Sequence, residues 1–303
     1  MNLKTFVKIS RIPFVTAVVL PSLLGGVLAW RDGTVHVGYL LLTVLGVVSI
    51  NLGLNMSNDY FDYLSGADTP DTQPTPFSGG SRSIQEGLMT PKQVLGWSLF
   101  FYAIGIAIGL YFTVTRGWVV LALGALGVFL AFFHNAPPFR LYYLGAGVGE
   151  LAVGIGCGPV TLLGSYYVQT QRLSVEALWA SIPLALLIAA VLYANQFPDY
   201  EADKAVGKKT TPVVLGRERA SRGYPVLIVG AYVVVLLGIV LRVFPPLLAL
   251  VFLTLPIAYQ GIKGVLRYHS DAPKLVPALA ATIQLHLLVG ILMCVGYIIA
   301  QVL

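Results

Sequence analysis

Two acidic segments carry the residues best suited to chemistry in this chain: NDYFDYLSGAD at 58–68 and NQFPDYEADKAVGKKT at 195–210. Each opens on an asparagine with an aspartate four residues later, Asn58 with Asp62 and Asn195 with Asp199. Each then adds a further aspartate, Asp68 or Asp203. Residues four apart on a helix share a face, so each pair can aim its oxygens at one point. Converging carboxylates repel one another unless a cation stands between them. An all-oxygen donor set suits a hard cation, and Mg2+ in particular binds through one or two carboxylates together with substrate phosphates. The spacing therefore predicts a site for Mg2+ and a polyphosphate. Lys204, Lys208, Lys209, Arg217, Arg219 and Arg222, all in or just after the second segment, supply charge complementary to such an anion. Solvated loop acids would account for either segment alone; two matching openings argue against that reading.

The elements that must position these residues are membrane helices. The chain of 303 residues is 57% hydrophobic and 11% charged, with a mean hydropathy of +0.81. A soluble domain carries about 25% charged residues, so the bilayer is the expected solvent. Apolar stretches, each long enough to span a hydrocarbon core of about 30 Å, fall near 12–31, 37–57, 94–114, 117–134, 145–166, 176–196, 224–242, 246–263 and 277–300. They predict an all-α membrane protein of about nine transmembrane helices, forming a single polytopic domain over 1–303. The N-terminal MNLKTFVKISRIPF has no small-residue cleavage site behind a short apolar core and reads as a retained first helix. Cys157 and Cys294 both lie in apolar runs, which indicates neither a disulfide framework nor a cysteine metal site.

Two longer polar loops remain, about 58–93 and 197–223, and with nine spans both lie on the side of the N-terminus. Fifteen of the 19 Lys and Arg residues fall on that side; Arg31, Arg116, Arg172 and Arg242 fall on the other. The positive-inside rule places the N-terminus and both polar loops in the cytoplasm of a multi-pass cell-membrane protein. The same rule accounts for the net charge of +6 without nucleic acid as a partner. Both acidic segments thus sit at cytoplasmic ends of apolar helices, the second and the sixth. If those helices are neighbours, their carboxylates and amides meet.

At this point the chain resembles the UbiA superfamily of intramembrane prenyltransferases. NDYFD is similar to the opening of that superfamily's NDxxDxxxD motif, with the last aspartate, Asp68, six residues after Asp62 instead of four. This longer spacing resembles the quinone branch that contains the dihydroxynaphthoate polyprenyltransferases of menaquinone synthesis and their animal relatives. GELAVGIGCGPVTLLGSYYVQT (149–170), PDYEADKAVGKKTTPVVLG (198–216) and RIPFVTAVVLPSLLGGVLAW (11–30) resemble further stretches of that branch. The similarity runs from about residue 11 to 216 and thins over the last three helices. It implies nine helices around a central cavity with both Asp motifs at its cytoplasmic mouth. It also implies Mg2+-dependent transfer of a prenyl group from an isoprenyl diphosphate to an aromatic acceptor, through an allylic carbocation.

On that resemblance Asn58, Asp62 and Asp68 from one motif and Asn195, Asp199 and Asp203 from the other hold the metal, with Asp62 and Asp199 the catalytic carboxylates. Asp59 orients its neighbours. Arg82, Arg140, Lys208 and Lys209 are the candidate diphosphate contacts, with Tyr142 and Tyr143 as hydroxyl donors beside Arg140. Membrane lipids are the surrounding partner. A dihydroxynaphthoate-like acceptor is the expectation; a hydroxybenzoate, a glyceryl phosphate lipid or a porphyrin are the alternatives within the superfamily. From a different class, an ion-coupled transporter also places acids at helix ends, though usually nearer the bilayer midplane. GAGVGE (145–150) lies in an apolar span with no strand before it and reads as close helix packing, not a dinucleotide loop. His134, Glu150 and His286 receive no role from the sequence.

Overall fold

A computed structural model describes residues 3–67 and 75–303. A short helix α1 (Leu3–Ser10) precedes the spans α2 (Thr16–Arg31), α3 (Val37–Ser65), α4 (Pro91–Arg116), α5 (Trp118–Phe132), α6 (Val148–Thr170) and α7 (Val175–Asn195). Three short helices follow, α8 (Tyr200–Ala205), α9 (Thr211–Leu215) and α10 (Arg217–Ser221). The last spans are α11 (Tyr224–Val240), α12 (Pro246–Tyr268) and α13 (Ala272–Val302). Among the described residues, seven helices are long and apolar enough to cross a membrane, and the shorter apolar α2 and α5 complete a set of nine spans.

Each span touches the next in order, and α13 closes the ring against α2. The packed core lies on one side of the ring, where Leu24, Leu184, Leu187, Ile228, Leu285 and Val289 of α2, α7, α11 and α13 are buried together. Close approach there depends on small residues. A Cβ on Gly25 would lie 2.6 Å from the Leu162 carbonyl oxygen, and the Ser165 hydroxyl donates to the Ser22 carbonyl at 2.7 Å. Without a hydrophobic drive between helices in lipid, such contacts and hydrogen bonds supply the cohesion. Outward-facing Val226, Val229, Val233 and Leu237 of α11 remain exposed, as lipid-facing positions should.

Several boundaries differ from the apolar pattern for local reasons. α3 runs on through the first acidic segment to Ser65 and stops at Gly66, whose φ of 78° gives a left-handed cap. α7 stops at Asn195 because Pro198 disfavours a helical residue before it. α12 begins as a tight 3-10 stretch over Pro246–Thr254. In α6, Gly156–Val160 widens into a π turn around Pro159, which lacks an N–H to donate. The Thr161 hydroxyl donates to the Gly156 carbonyl at 2.8 Å within that turn.

Candidate active site

Asn51, Asn55, Asn58 and Asp62 recur on α3 at steps of four, three and four residues, one face of the helix. All four line one polar cavity of about 550 Å³. The Asn55 amide donates to the Ser10 carbonyl at 3.2 Å, while Asn58 Oδ1 is buried without a hydrogen-bond partner. Asp59 lies off this face. It accepts from the Arg11 guanidinium at 2.6 Å and from the Ser81 amide at 3.1 Å, which ties the chain start and the first polar loop to α3. Asp68 lies outside the described residues.

The second segment is not the continuous helix that the Asn195–Asp199 spacing suggests. Asn195 ends α7, a turn through Pro198 follows, and Asp199 caps α8. It is Asp199 and Asp203 that share a helix face, one turn apart. Asn195, Asp199 and Asp203 nonetheless line the same cavity as Asn58 and Asp62. Asp199 Oδ2 accepts from the Gly79 amide at 3.3 Å.

Lys208 joins the two motifs. Its Nζ lies 3.3 Å from Asp62 Oδ1 and 3.6 Å from Asp203 Oδ1, and the residue is only 3% exposed. The ammonium also sits over the Tyr142 ring at 4.3 Å and the Tyr143 ring at 5.2 Å, where the π faces are negative. Burial alone would lower its pKa; Asp62 and Asp203 more than reverse this and hold it well above the ordinary lysine value. Asp203 is shifted upward by burial against the opposing pull of Lys208. Asp62 further accepts from the Asn135 amide at 2.9 Å and the Tyr143 hydroxyl at 3.1 Å. Burial, then Asp62, push the Tyr143 phenol up to about 12, so it remains a donor.

The segment carrying Lys208 is held from behind. Thr211 donates its hydroxyl to Glu150 at 2.6 Å and its amide to Gln196 at 3.1 Å. Glu150, in the first turn of α6, thus anchors the second polar loop.

Of the residues expected from the sequence, Asn58, Asp62, Asn195, Asp199, Asp203, Tyr142 and Lys208 gather at the cavity, and Tyr143 reaches it through Asp62. Arg82, in a left-handed turn with φ 59°, is not among the lining residues. Arg140 is exposed and lies over the Tyr143 ring at 5.4 Å. Lys209 points outward, one residue from buried Lys208. Sequence reasoning missed Arg11, Asn51, Asn55, Gly79 and Asn135. The asparagine stripe was legible as a helical repeat leading into Asn58; Gly79 and Asn135 come from distant loops and carry no local signal.

A second, apolar cavity of about 530 Å³ lies inside the ring among α3, α4, α5 and α6. Asn51, Leu54, His134, Val153 and Cys157 line both cavities, so they adjoin at a shared wall beside the π turn. The mouth offers anionic and amide oxygens with one buried cation, and the interior offers hydrocarbon. Such a pair suits an amphiphile with an anionic head and an apolar tail. Among the described residues no three His, Cys, Asp or Glu side chains gather closely enough to hold a metal unaided. The unpartnered Asn58 oxygen and the all-oxygen donor set fit a hard cation that completes its coordination with water and substrate phosphates.

The profile of the UbiA prenyltransferase family matches residues 18–288. The chain is 31% identical over 288 residues to the 2-carboxy-1,4-naphthoquinone phytyltransferase of Synechocystis sp., covering 94% of this chain and 90% of that one. It is 29% identical over 286 residues to the 1,4-dihydroxy-2-naphthoate octaprenyltransferase of Bacillus subtilis, covering 94% and 89%. Its fold matches a UbiA homolog from Archaeoglobus fulgidus bound to GPP and Mg2+ with a TM-score of 0.63 at 16% identity, over 96% of this chain and 99% of that one. An integral multi-pass membrane enzyme, the chain belongs to the UbiA prenyltransferase family.

Proposed function

We propose that this prenyltransferase moves a polyprenyl group from an isoprenyl diphosphate to a dihydroxynaphthoate-like aromatic acceptor, a step of menaquinone biosynthesis, with Mg2+ as cofactor. The observation that carries the reading is the meeting of both acidic motifs at a polar cavity that adjoins an apolar one. The diphosphate belongs with Asp62, Asp199, Asp203 and Lys208, and the tail with the apolar cavity. The naphthoate prenyltransferase relatives support the acceptor, and the structural relative bound to GPP and Mg2+ supports donor and metal.

Asn58, Asp62, Asn195, Asp199 and Asp203, with Asp68 beyond the described residues, would hold Mg2+, which when bound neutralises charge on the departing diphosphate. Lys208 is already buried beside that position and gives the diphosphate a desolvated cation. Tyr143 and Asn135 fix the Asp62 carboxylate by donating to it, so its oxygens face the mouth at no cost of reorganisation. The allylic carbon–oxygen bond breaks toward the diphosphate. A ring carbon of the acceptor then forms the new carbon–carbon bond, and the ring carboxylate leaves as carbon dioxide, returning its bonding pair to the ring. The rings of Phe129 and Phe133, with centroids 5.1 Å apart, line the apolar cavity, where π faces stabilise a cation without trapping it.

The lysine and arginine asymmetry supports a cytoplasmic mouth in the cell membrane. The assay is direct: purified protein in detergent, a labelled prenyl diphosphate, Mg2+ and one acceptor at a time. The expected result is labelled decarboxylated naphthoquinol that disappears with a chelator. Labelled product from hydroxybenzoate or a glyceryl phosphate lipid, and none from dihydroxynaphthoate, would overturn the acceptor while sparing the family.

A further inference from the structure

His134 is a buried titratable residue that the reaction as described leaves unused. It follows α5 by two residues, is 3% exposed, and stacks on Tyr142 with ring centroids 4.8 Å apart and planes 18° from parallel. Its Nδ1 is buried without a hydrogen-bond partner. An orphaned polar atom of this kind is destabilising until a partner reaches it, and packing against Tyr142 holds the ring in place. His134 also belongs to the wall shared by the two cavities.

That wall is where a donor with its head in one cavity and its tail in the other must place the bond that breaks. The acceptor carbon has to reach the same point. The only polar group at the allylic end of the donor is its diphosphate, which belongs with Lys208 and the acidic motifs, whereas the aromatic acceptor carries ring hydroxyls next to the carbon that is alkylated. Burial, and then the nearby Lys208 charge, lower the His134 pKa to about 3. The imidazole is therefore neutral, suited to a hydroxyl and unsuited to serve as counter-ion to a diphosphate.

We propose that His134 is the acceptor-positioning residue, its Nδ1 hydrogen-bonding a ring hydroxyl so that the carbon to be alkylated faces the allylic carbon at the shared wall. The inference rests on the reading that a prenyl diphosphate and a hydroxylated aromatic acceptor meet here.

The test compares wild type with His134→Phe, which keeps a flat ring on Tyr142 and removes both nitrogens, and with His134→Asn, which returns a short hydrogen-bonding group. The Phe variant should raise the acceptor KM tenfold or more and leave the donor KM within twofold. It should also release diphosphate in excess of prenylated product. The Asn variant should recover most of the acceptor KM. Methylating the ring hydroxyl of the acceptor should impose a similar loss on wild type and none further on the Phe variant. If the Phe variant does not accumulate in membranes, His134→Leu enters the same comparison. An unchanged acceptor KM with full coupling, or equal shifts in both KM values, would overturn the inference. Wild type that prenylates no naphthoate acceptor would overturn the acceptor reading first and this inference with it, and that outcome is visible before any variant is made.

Discussion

Lys208 and Asp62 are the residues on which the mouth is built. Removing one partner of a buried ion pair leaves the other uncompensated, at roughly 3–5 kcal/mol. Lys208→Met should therefore lower the thermal stability of the metal-free protein in detergent by that order, and reduce turnover about 10²–10³-fold, as expected for loss of a preorganised electrostatic donor. Arg140→Gln and Lys209→Gln, at exposed positions, should cost far less in the same assay. Asp62→Ala and Asp199→Ala should each abolish Mg2+-dependent diphosphate release while the protein still inserts, as membrane fractionation would register. Near-normal rates in either would remove the metal assignment. The sequence exposed the acidic residues because two Asn–Asp pairs at equal spacing are conspicuous in an apolar chain. It placed Lys208 ahead of Lys209 but could not show that one is buried and the other exposed, since adjacent residues differ only in which way the turn after Gly207 points them. Asn135 was illegible for a different reason: its hydrogen bond to Asp62 joins residues 73 positions apart.

At the scale of elements, hydropathy located the spans but not where polar residues extend them. A run that loses its apolar character at Asn58 reads as a helix end, yet α3 continues to Ser65. Its polar face turns into a cavity, and Asp59 has Arg11 for a partner. The π turn of α6 was equally hidden, because a single proline in an apolar helix also permits a simple kink. Close packing of that turn on α7 yields a stability prediction. A Cβ on Gly158 would lie 2.5 Å from Ala185 Cβ and 3.1 Å from the Ser181 carbonyl oxygen, so backbone has to move. Gly158→Ala should destabilise the enzyme by about 1–3 kcal/mol, read as a lowered melting temperature in detergent, and should disturb the wall shared by the two cavities.

Across the whole molecule, the two sides of the ring do different work. The packed core lies on the side of α2, α7, α11 and α13, the apolar cavity lies among α3 to α6, and the polar cavity draws on both sides through α3 and α7. Similarity to the family, expected from the sequence to thin over the last three spans, continues through them, with the family profile reaching residue 288. It also explains why a transporter reading, open from the sequence, gives way to the family assignment, with both acidic motifs gathered at one end. Orientation can be checked by single-cysteine labelling with an impermeant reagent. Glu86→Cys should react only in inside-out vesicles and Gly33→Cys only in right-side-out ones; the reverse would invert the proposed topology.

Asp59 is gripped from two directions, by Arg11 and by the Ser81 amide. One carboxylate therefore clasps the leading segment and the first polar loop to the same helix. A chain shortened by its first eleven residues would keep every membrane crossing and still lose Arg11, so the residues ahead of the first span help decide how firmly the first polar loop is pinned to its helix.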